Sequence, residues 1–435
     1  IYKVLGDGRL LNLNSYRGLQ VIDISNVDAP EIIGRFAVTG TPVEMYVVDD
    51  TAYLLINDWR GYWGTRTDIA VESVQGGLIV AVDISDPTAP VERARAFFPG
   101  YLMTSRVASD ENGVSLYAAG NWYGNWQTAD GEWVYESHTA VKSFDLTGGA
   151  LEERTVLDLG GYVTAVQGVS NSLLVARSDW QGGSNRSLVS VIDISDSTGV
   201  MVEGAEVQVE GYVQNKFNLD MYRGVLRVVS TGTWGGSNTN HVETFDATDI
   251  QNLERLDHET FGDGQSLFAT LFLGNKAFFV TYLRVDPFHA FEITDEGDAT
   301  ERSEFIVSGW NDYFRPVAGG DRLIGIGVND EGGRTMAVSL YDITDLDNAN
   351  PLLARAEVEA TNSWSEASWD DRAFSVLENA VDVDGPNGED ETGLILLPFT
   401  AWDDGTDGYR AAVQIYTFSR ESLTRRGSME HGTPA

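Results

Sequence analysis

One apolar run with an acid inside it recurs along the chain and limits what the chain can fold into. It first reads Gly18-Leu-Gln-Val-Ile-Asp-Ile-Ser-Asn-Val-Asp-Ala-Pro30. A close copy is Gly77-Leu-Ile-Val-Ala-Val-Asp-Ile-Ser-Asp-Pro-Thr-Ala-Pro90, and shorter copies stand at 191–196 and 341–345, with weaker ones at 143–147, 244–249 and 291–295. A β-branched run that ends in a Ser/Asp/Pro cluster is a strand meeting a tight corner. The acid or its substitute falls at 23, 83, 145, 193, 246, 292 (a Glu), 342 and, as Thr, 417, so the units are 46 to 75 residues long. Repeats of about that length, each holding four short strands, predict the blades of a propeller.

Each unit has the same internal order. An inner strand comes first, as at 41–48, 162–167, 212–217 and 313–317, and a second strand follows across a tight turn. The acid-bearing strand is third, and a more polar outer strand is fourth, which suits an edge that meets water and must resist pairing with other chains. The expected fold is therefore all-β: a single domain over 1–435, an eight-bladed propeller of four-stranded antiparallel blades ending near 38, 98, 159, 209, 262, 308, 360 and 431. The first unit begins at its second strand, so its inner strand is expected to be missing from this chain. His431-Gly-Thr-Pro-Ala435 echoes Thr39-Gly-Thr-Pro-Val43, and residues beyond 435 are expected to supply that strand and close the ring.

The segments Phe217-Asn-Leu-Asp-Met-Tyr-Arg-Gly-Val-Leu-Arg-Val-Val229, Val285-Asp-Pro-Phe288, Arg322-Leu-Ile-Gly-Ile-Gly327 with Ser339-Leu-Tyr-Asp342, Trp369-Asp-Asp-Arg-Ala-Phe374 and Leu394-Ile-Leu-Leu-Pro398 follow one another in the second half. In these segments and their order the chain resembles the secreted bacterial and archaeal β-propeller domain family distantly related to WD40 repeats. That resemblance implies a propeller and an exported protein, and it brings no catalytic set with it. Long inserts at 57–76 and 120–138 depart from the pattern.

Composition narrows the function. With 29 Lys and Arg against 66 Asp and Glu the net charge is −37, which repels nucleic acid and anionic lipid. No apolar run approaches the roughly 20 residues of a membrane helix, so membrane insertion is not expected. There is no cysteine, so a metal would be held by oxygen or His. High acidity with few Lys suits an extracellular or saline setting, where screening tolerates a large net charge, and the expected place is outside the cell or on its surface.

Two patterns are candidate sites. An aromatic stands at a common offset after the second strand in most units: Tyr16, Trp59, Trp122, Trp180, Trp234 and Trp402, with Trp63, Trp126 and Trp133 added in the inserts. Such rings either stack on a sugar or a peptide side chain or pack against the neighbouring blade. The binding reading rests on Trp59, Trp63, Trp122, Trp126, Trp180 and Trp234. The second pattern is Asp382-Val-Asp-Gly-Pro-Asn-Gly-Glu-Asp-Glu391, where Asp382, Asp384, Asn387 and Asp390 either offer oxygens to calcium or form a solvated acidic turn. The repeated acid is read as a turn-former, because an acid needed for one reaction would not be copied around a ring. The five His residues fall in no catalytic or metal motif.

These observations predict a non-enzymatic extracellular binding or assembly module, stabilised by calcium, that takes a protein or glycan ligand on an aromatic loop face or associates with copies of itself. The alternative is a polysaccharide hydrolase or lyase with paired carboxylates at the central channel.

Overall fold

The computed structural model describes residues 1–65, 68–73, 76–127, 130–178, 186–232, 239–282, 286–331, 333–386, 388–403 and 408–430. Eight antiparallel sheets follow one another as the blades of a propeller: seven have four strands, and the last is a four-strand path with an added short strand. The chain divides into two compact units, one holding blades one to four (Ile1–Gln208 with Asp249–Leu253) and one holding blades five to eight (Val209–Thr248 with Glu254–Ala435). The outer strands end at Phe36, Phe98, Gly160, Gln208, Phe261, Val307, Glu357 and Glu430.

The recurring acid is a turn-former. In six blades its carboxylate accepts the backbone N–H two residues on, from Ser25, Ser85, Thr147, Ser195, Thr248 and Thr344, at 2.7–2.9 Å. That bond bends the chain out of the ladder at the end of the third strand. The Ser85 hydroxyl and amide, with the Arg93 guanidinium, hold the Asp83 carboxyl down to about 2. Arg154 pairs with Asp145 in the same way, Arg302 with Glu292 and Arg322 with Asp342.

The corner also joins one blade to the next. Just after the acid, the carbonyls of Ile84, Leu146 and Ile343 face the preceding blade, where Arg9, Tyr53 and Lys276 of its second strand donate to them at 3.0, 3.1 and 2.6 Å. A buried carbonyl left without a donor is costly, so the same residue that turns the strand also sets the contact between blades.

Three inner strands depart from the sequence reading. The first blade has four strands, its inner position held by the three residues Tyr2–Val4, where an empty position was expected. In blade five the inner strand expected at 212–217 is broken: Tyr212 makes a lone bridge to Thr231, a 3-10 turn spans Lys216–Asn218, and the strand is Leu219–Tyr222. The cause is local. Asn218 Oδ1 accepts the amides of Gln214 and Asn215 at 3.1 and 3.0 Å, and Asn215 Oδ1 accepts that of Phe217 at 2.9 Å, so the side chains take amides the ladder would have used. In blade eight the inner position is split between Ser363–Trp364 and Ser375–Leu377 around a turn at Glu366–Ser368. Ser365 starts that turn by accepting from Ala367 N at 3.0 Å while donating to Pro398 O at 2.5 Å.

The inserts behave differently from each other. Arg60–Thr65 and Asp68–Ser73 form a separate two-stranded hairpin. The second insert lengthens the middle strands of blade three to Val114–Gln127 and Trp133–Asp145, paired along their whole length.

Candidate functional site

Alternation along one strand of blade eight builds the site. In Gly393–Asp403, Leu397, Phe399 and Ala401 are buried against Ile324, Ile326, Val338 and Leu340 of blade seven. Pro398, Thr400 and Trp402 therefore point the other way, in register with Val413, Ala411 and Tyr409 on the next strand. Most of that face is small, and it forms the floor of a groove of about 290 Å³. Aromatic rings frame the floor. Trp364 sits opposite Thr400, its ring 5.6 Å from that of Tyr409 and tilted by 58°. Trp369 closes the other side, where the 3-10 turn ends, and Trp402 stands opposite Tyr409 beyond the groove. Their exposures are 41% for Trp364, 65% for Trp369, 52% for Trp402 and 53% for Tyr409, far above what a core ring retains. Glu366 adds a carboxylate to the rim. Flat rings over a floor of small side chains, with a few polar groups beside them, can hold a ring-shaped ligand by stacking and hydrogen bonds.

The aromatics singled out from the sequence do not share one environment. Trp59 is 8% exposed, lies in the core of blades one and two, and has the Arg95 guanidinium 5.1 Å from its ring. Trp122 is half-buried and stacked on His138 at 4.2 Å. Trp180 and Trp234 lie outside the described residues. Trp63 and Trp126 are placed as strand positions, opposite Ala70 and Val134, and their side chains lie outside the description. Tyr16, at the same offset as Trp59, is 90% exposed. The common offset fixes a position in the blade, not what the ring meets there.

In the acidic loop, Val383–Asp384 and Asp390–Glu391 form a two-stranded hairpin with Asp384 opposite Asp390. The side chains of Asp382, Asp384 and Asp390 are exposed, and Asn387 lies outside the described residues. Among the described residues, the group of three His or acid side chains close enough to share an ion is His289, Glu301 and Glu304, in blade six. His289 is already held on both sides, by Glu301 Oε1 at 2.6 Å and Thr281 Oγ1 at 2.9 Å.

The last acid of that loop has a structural role the sequence did not reveal. Blade eight carries Thr417 where other blades carry the acid, and Glu391 reaches into the gap. It is fully buried and accepts hydrogen bonds from Thr417 Oγ1, Ser422 Oγ at 2.6 Å, Thr424 Oγ1 at 2.8 Å and Arg426 Nη2 at 2.9 Å. Arg426 occupies the outer-strand place that Arg93 and Arg154 hold in their blades. Burial pushes the Glu391 carboxyl up, but the bonds from Ser422, Thr417, Thr424 and Arg426 outweigh it and hold it below the usual range.

Among the described residues the other histidines pair within their own blades, His138 with Asp158 at 3.0 Å and His241 with His258 at 3.0 Å, and His431 lies outside them. The blade-eight groove has Glu366 as its lining carboxylate, and a second pocket, in the unit of blades five to eight, has Asp312. Neither pocket brings together the two carboxylates that glycoside cleavage requires.

A family model described as Beta propeller domain matches residues 12–435. An uncharacterized protein of Methanocaldococcus jannaschii is 31% identical over 170 residues, 38% of this chain and 26% of that protein. Another, of Archaeoglobus fulgidus, is 30% identical over 139 residues, 32% of this chain and 21% of that protein. The chain thus matches about a quarter of the length of the first relative and about a fifth of the second. Among solved structures, dihydro-heme d1 dehydrogenase NirN in complex with DHE has a TM-score of 0.50 at 12% identity, covering 98% of this chain and 74% of that one, a likeness of fold alone. Among the described residues no helix is long and apolar enough to cross a membrane.

Proposed function

The chain belongs to the beta propeller domain family, whose members serve in general as binding or scaffold modules, and we propose that it is an exported, non-enzymatic module that binds a glycan on the aromatic groove of blade eight. One observation carries the reading: Trp364, Trp369 and Tyr409 keep exposed rings around a floor of Thr400, Ala411 and Val413. A folded chain that leaves three large rings this open around one concave floor has a surface suited to a ligand. Stacking on a sugar ring uses the ring faces, and Glu366 and Thr400 match its hydroxyls. The large negative charge with few Lys supports the extracellular setting.

The test is a combined glycan and peptide array on the purified chain. Glycan binding is expected to fall about five- to tenfold in Trp369→Ala and in Trp364→Ala, since a lost stacking partner removes on the order of 1–1.5 kcal/mol. Binding that is confined to peptides, or that ignores both substitutions, contradicts the glycan reading.

Calcium at the acidic loop is a separate proposal, supported by the exposed carboxylates of Asp384 and Asp390, opposite each other on one short hairpin, and of Asp382 just before it. Calcium that binds only the native state raises the melting temperature by mass action. A rise of several degrees over a chelator control is expected, and it should disappear in Asp384→Asn/Asp390→Asn. Identical curves with calcium and chelator remove the proposal.

A further inference from the structure

The broken inner strand of blade five and the split one of blade eight leave a second pocket of about 290 Å³, in the unit of blades five to eight. It is walled by half-buried rings of Phe217, Phe268 and Tyr313, with Thr270 and the turn at Asn215 beside them. Phe217 meets Tyr313 edge-on at 5.6 Å, and Phe374 backs Tyr313 at 6.2 Å, so the walls are fixed by packing. One carboxyl lines this space. Asp312 Oδ1 accepts the Trp310 indole N–H at 3.0 Å, whereas Oδ2 is buried and has no hydrogen-bond partner. An anionic oxygen in such a place is costly unless something pairs with it.

We propose that this pocket is a receptor for a cationic group, an alkylammonium or guanidinium, seated beside the Asp312 carboxyl, whose charge no cation among the described residues pairs within the pocket, with the rings of Phe217, Phe268 and Tyr313 around it. The protein makes the same contact with its own chain at the rim. There Lys216 Nζ lies 3.0 Å from both oxygens of Asp371 and 4.9 Å from the centre of the Phe217 ring. Aromatic faces and a carboxylate together are the usual surroundings of a bound ammonium. A neutral polar ligand leaves the charge on Oδ2 uncompensated, whereas a cation removes that cost, and the net charge of −37 draws cations to the surface.

The pocket has a pH dependence. Burial pushes the Asp312 carboxyl up to about 6, against the opposing effects of the Ser368 hydroxyl and the Trp310 indole. The other titratable groups around it are Tyr313 on its own strand, Asp370 and Asp371 from blade eight and Lys216 from blade five, while the inner strand of blade six, Ser266–Leu273, brings none. Below about pH 6 the carboxyl takes a proton and no longer pairs with a cation.

The test is isothermal titration of the full chain with Nα-acetyl-lysine methylamide, with butylammonium and with the neutral Nε-acetyl form of the lysine probe. The two cations are expected to bind and the neutral probe to bind at least tenfold more weakly. Affinity for the cations should drop on the order of tenfold between pH 7.5 and pH 5, as the ionised fraction of a group titrating near 6 falls. Stronger binding of the lysine probe assigns the site to a peptide side chain, and stronger binding of butylammonium assigns it to a free amine; both rankings support a cation site. Asp312→Asn should lose at least tenfold in cation affinity. Because the Asp312 carboxyl titrates higher in the folded chain, its charge opposes folding at neutral pH, so this variant should melt at or above the wild type at pH 7.5. Equal binding of the neutral and charged probes, pH-independent affinity or no heat with any cation at millimolar concentration overturns the proposal. These comparisons use the wild-type chain and stand whether or not the variant folds.

Discussion

Phe288→Ala is expected to destabilise the unit of blades five to eight by about 3–5 kcal/mol, the usual range for emptying the place of a buried phenylalanine. Phe288 is 1% exposed and touches aromatic rings on several sides: Phe305 at 4.4 Å, Phe314 at 5.2 Å, Tyr341 at 5.3 Å and Phe278 at 5.7 Å. These rings come from blades six and seven, so the cavity would open where the two sheets meet. Their bulk, with Phe305 stacked on the ring and Phe314 edge-on to it, prevents collapse, which places the cost in the upper part of the range. Phe288→Leu keeps most of the volume and should cost less than about 1.5 kcal/mol. Denaturant unfolding of both variants checks this. A loss below about 1 kcal/mol for the alanine variant would contradict the packing described.

Glu391→Gln should cost about 2–3 kcal/mol. The loss sits at the low end of what breaking a buried ion pair costs, because Arg426 is still a third exposed. The amide presents N–H groups to a nest of donors, Thr417, Ser422, Thr424 and Arg426, which then lack an acceptor. Thr417→Asp in that background returns a carboxylate to the place other blades use, and it is expected to recover part of the loss. The acid limb follows with a definite sign. The folded-state pKa of Glu391 is lowered, so its stabilisation is complete above its unfolded value and is lost as pH falls through the folded one. Asp23, Asp83, Asp246 and Asp342 act in the same direction, with Asp83 titrating at about 2. Melting temperature should therefore fall steadily below about pH 4. The fall should be shallower in Glu391→Gln, and an equally steep one would contradict the role given to this carboxylate.

Much of the fold was legible because the acid-bearing strand and its corner are local. Apolar runs ended by Asp-x-Ser or Asp-x-Thr mark a strand and its turn within a few residues, and the hydrogen bonds from Ser25 to Thr344 follow that spacing. Features that depend on distant partners were not legible. Glu391 reads as part of a calcium loop until Thr417 and Arg426, 26 and 35 residues away, are seen to surround it. The stretch 212–217 reads as a strand by its alternation, and only the Asn215 and Asn218 side chains together turn it into a loop that opens a pocket. The aromatic offset includes Trp402, which stands beyond the groove, whereas Trp364 and Trp369 fall outside that offset because they lie where the inner strand of blade eight is interrupted. Their signal was a Trp pair five residues apart around Ser-Glu-Ala-Ser.

Hydroxyl-radical footprinting of the chain with and without its strongest glycan from the array tests the binding reading most directly. Trp364, Trp369 and Tyr409 start exposed, so their oxidation is measurable in the free protein. The account predicts that the glycan protects these rings, together with Trp402 at the edge of the groove, and leaves Tyr16 unchanged. Protection elsewhere with undiminished oxidation of Trp364, Trp369 and Tyr409 would contradict it.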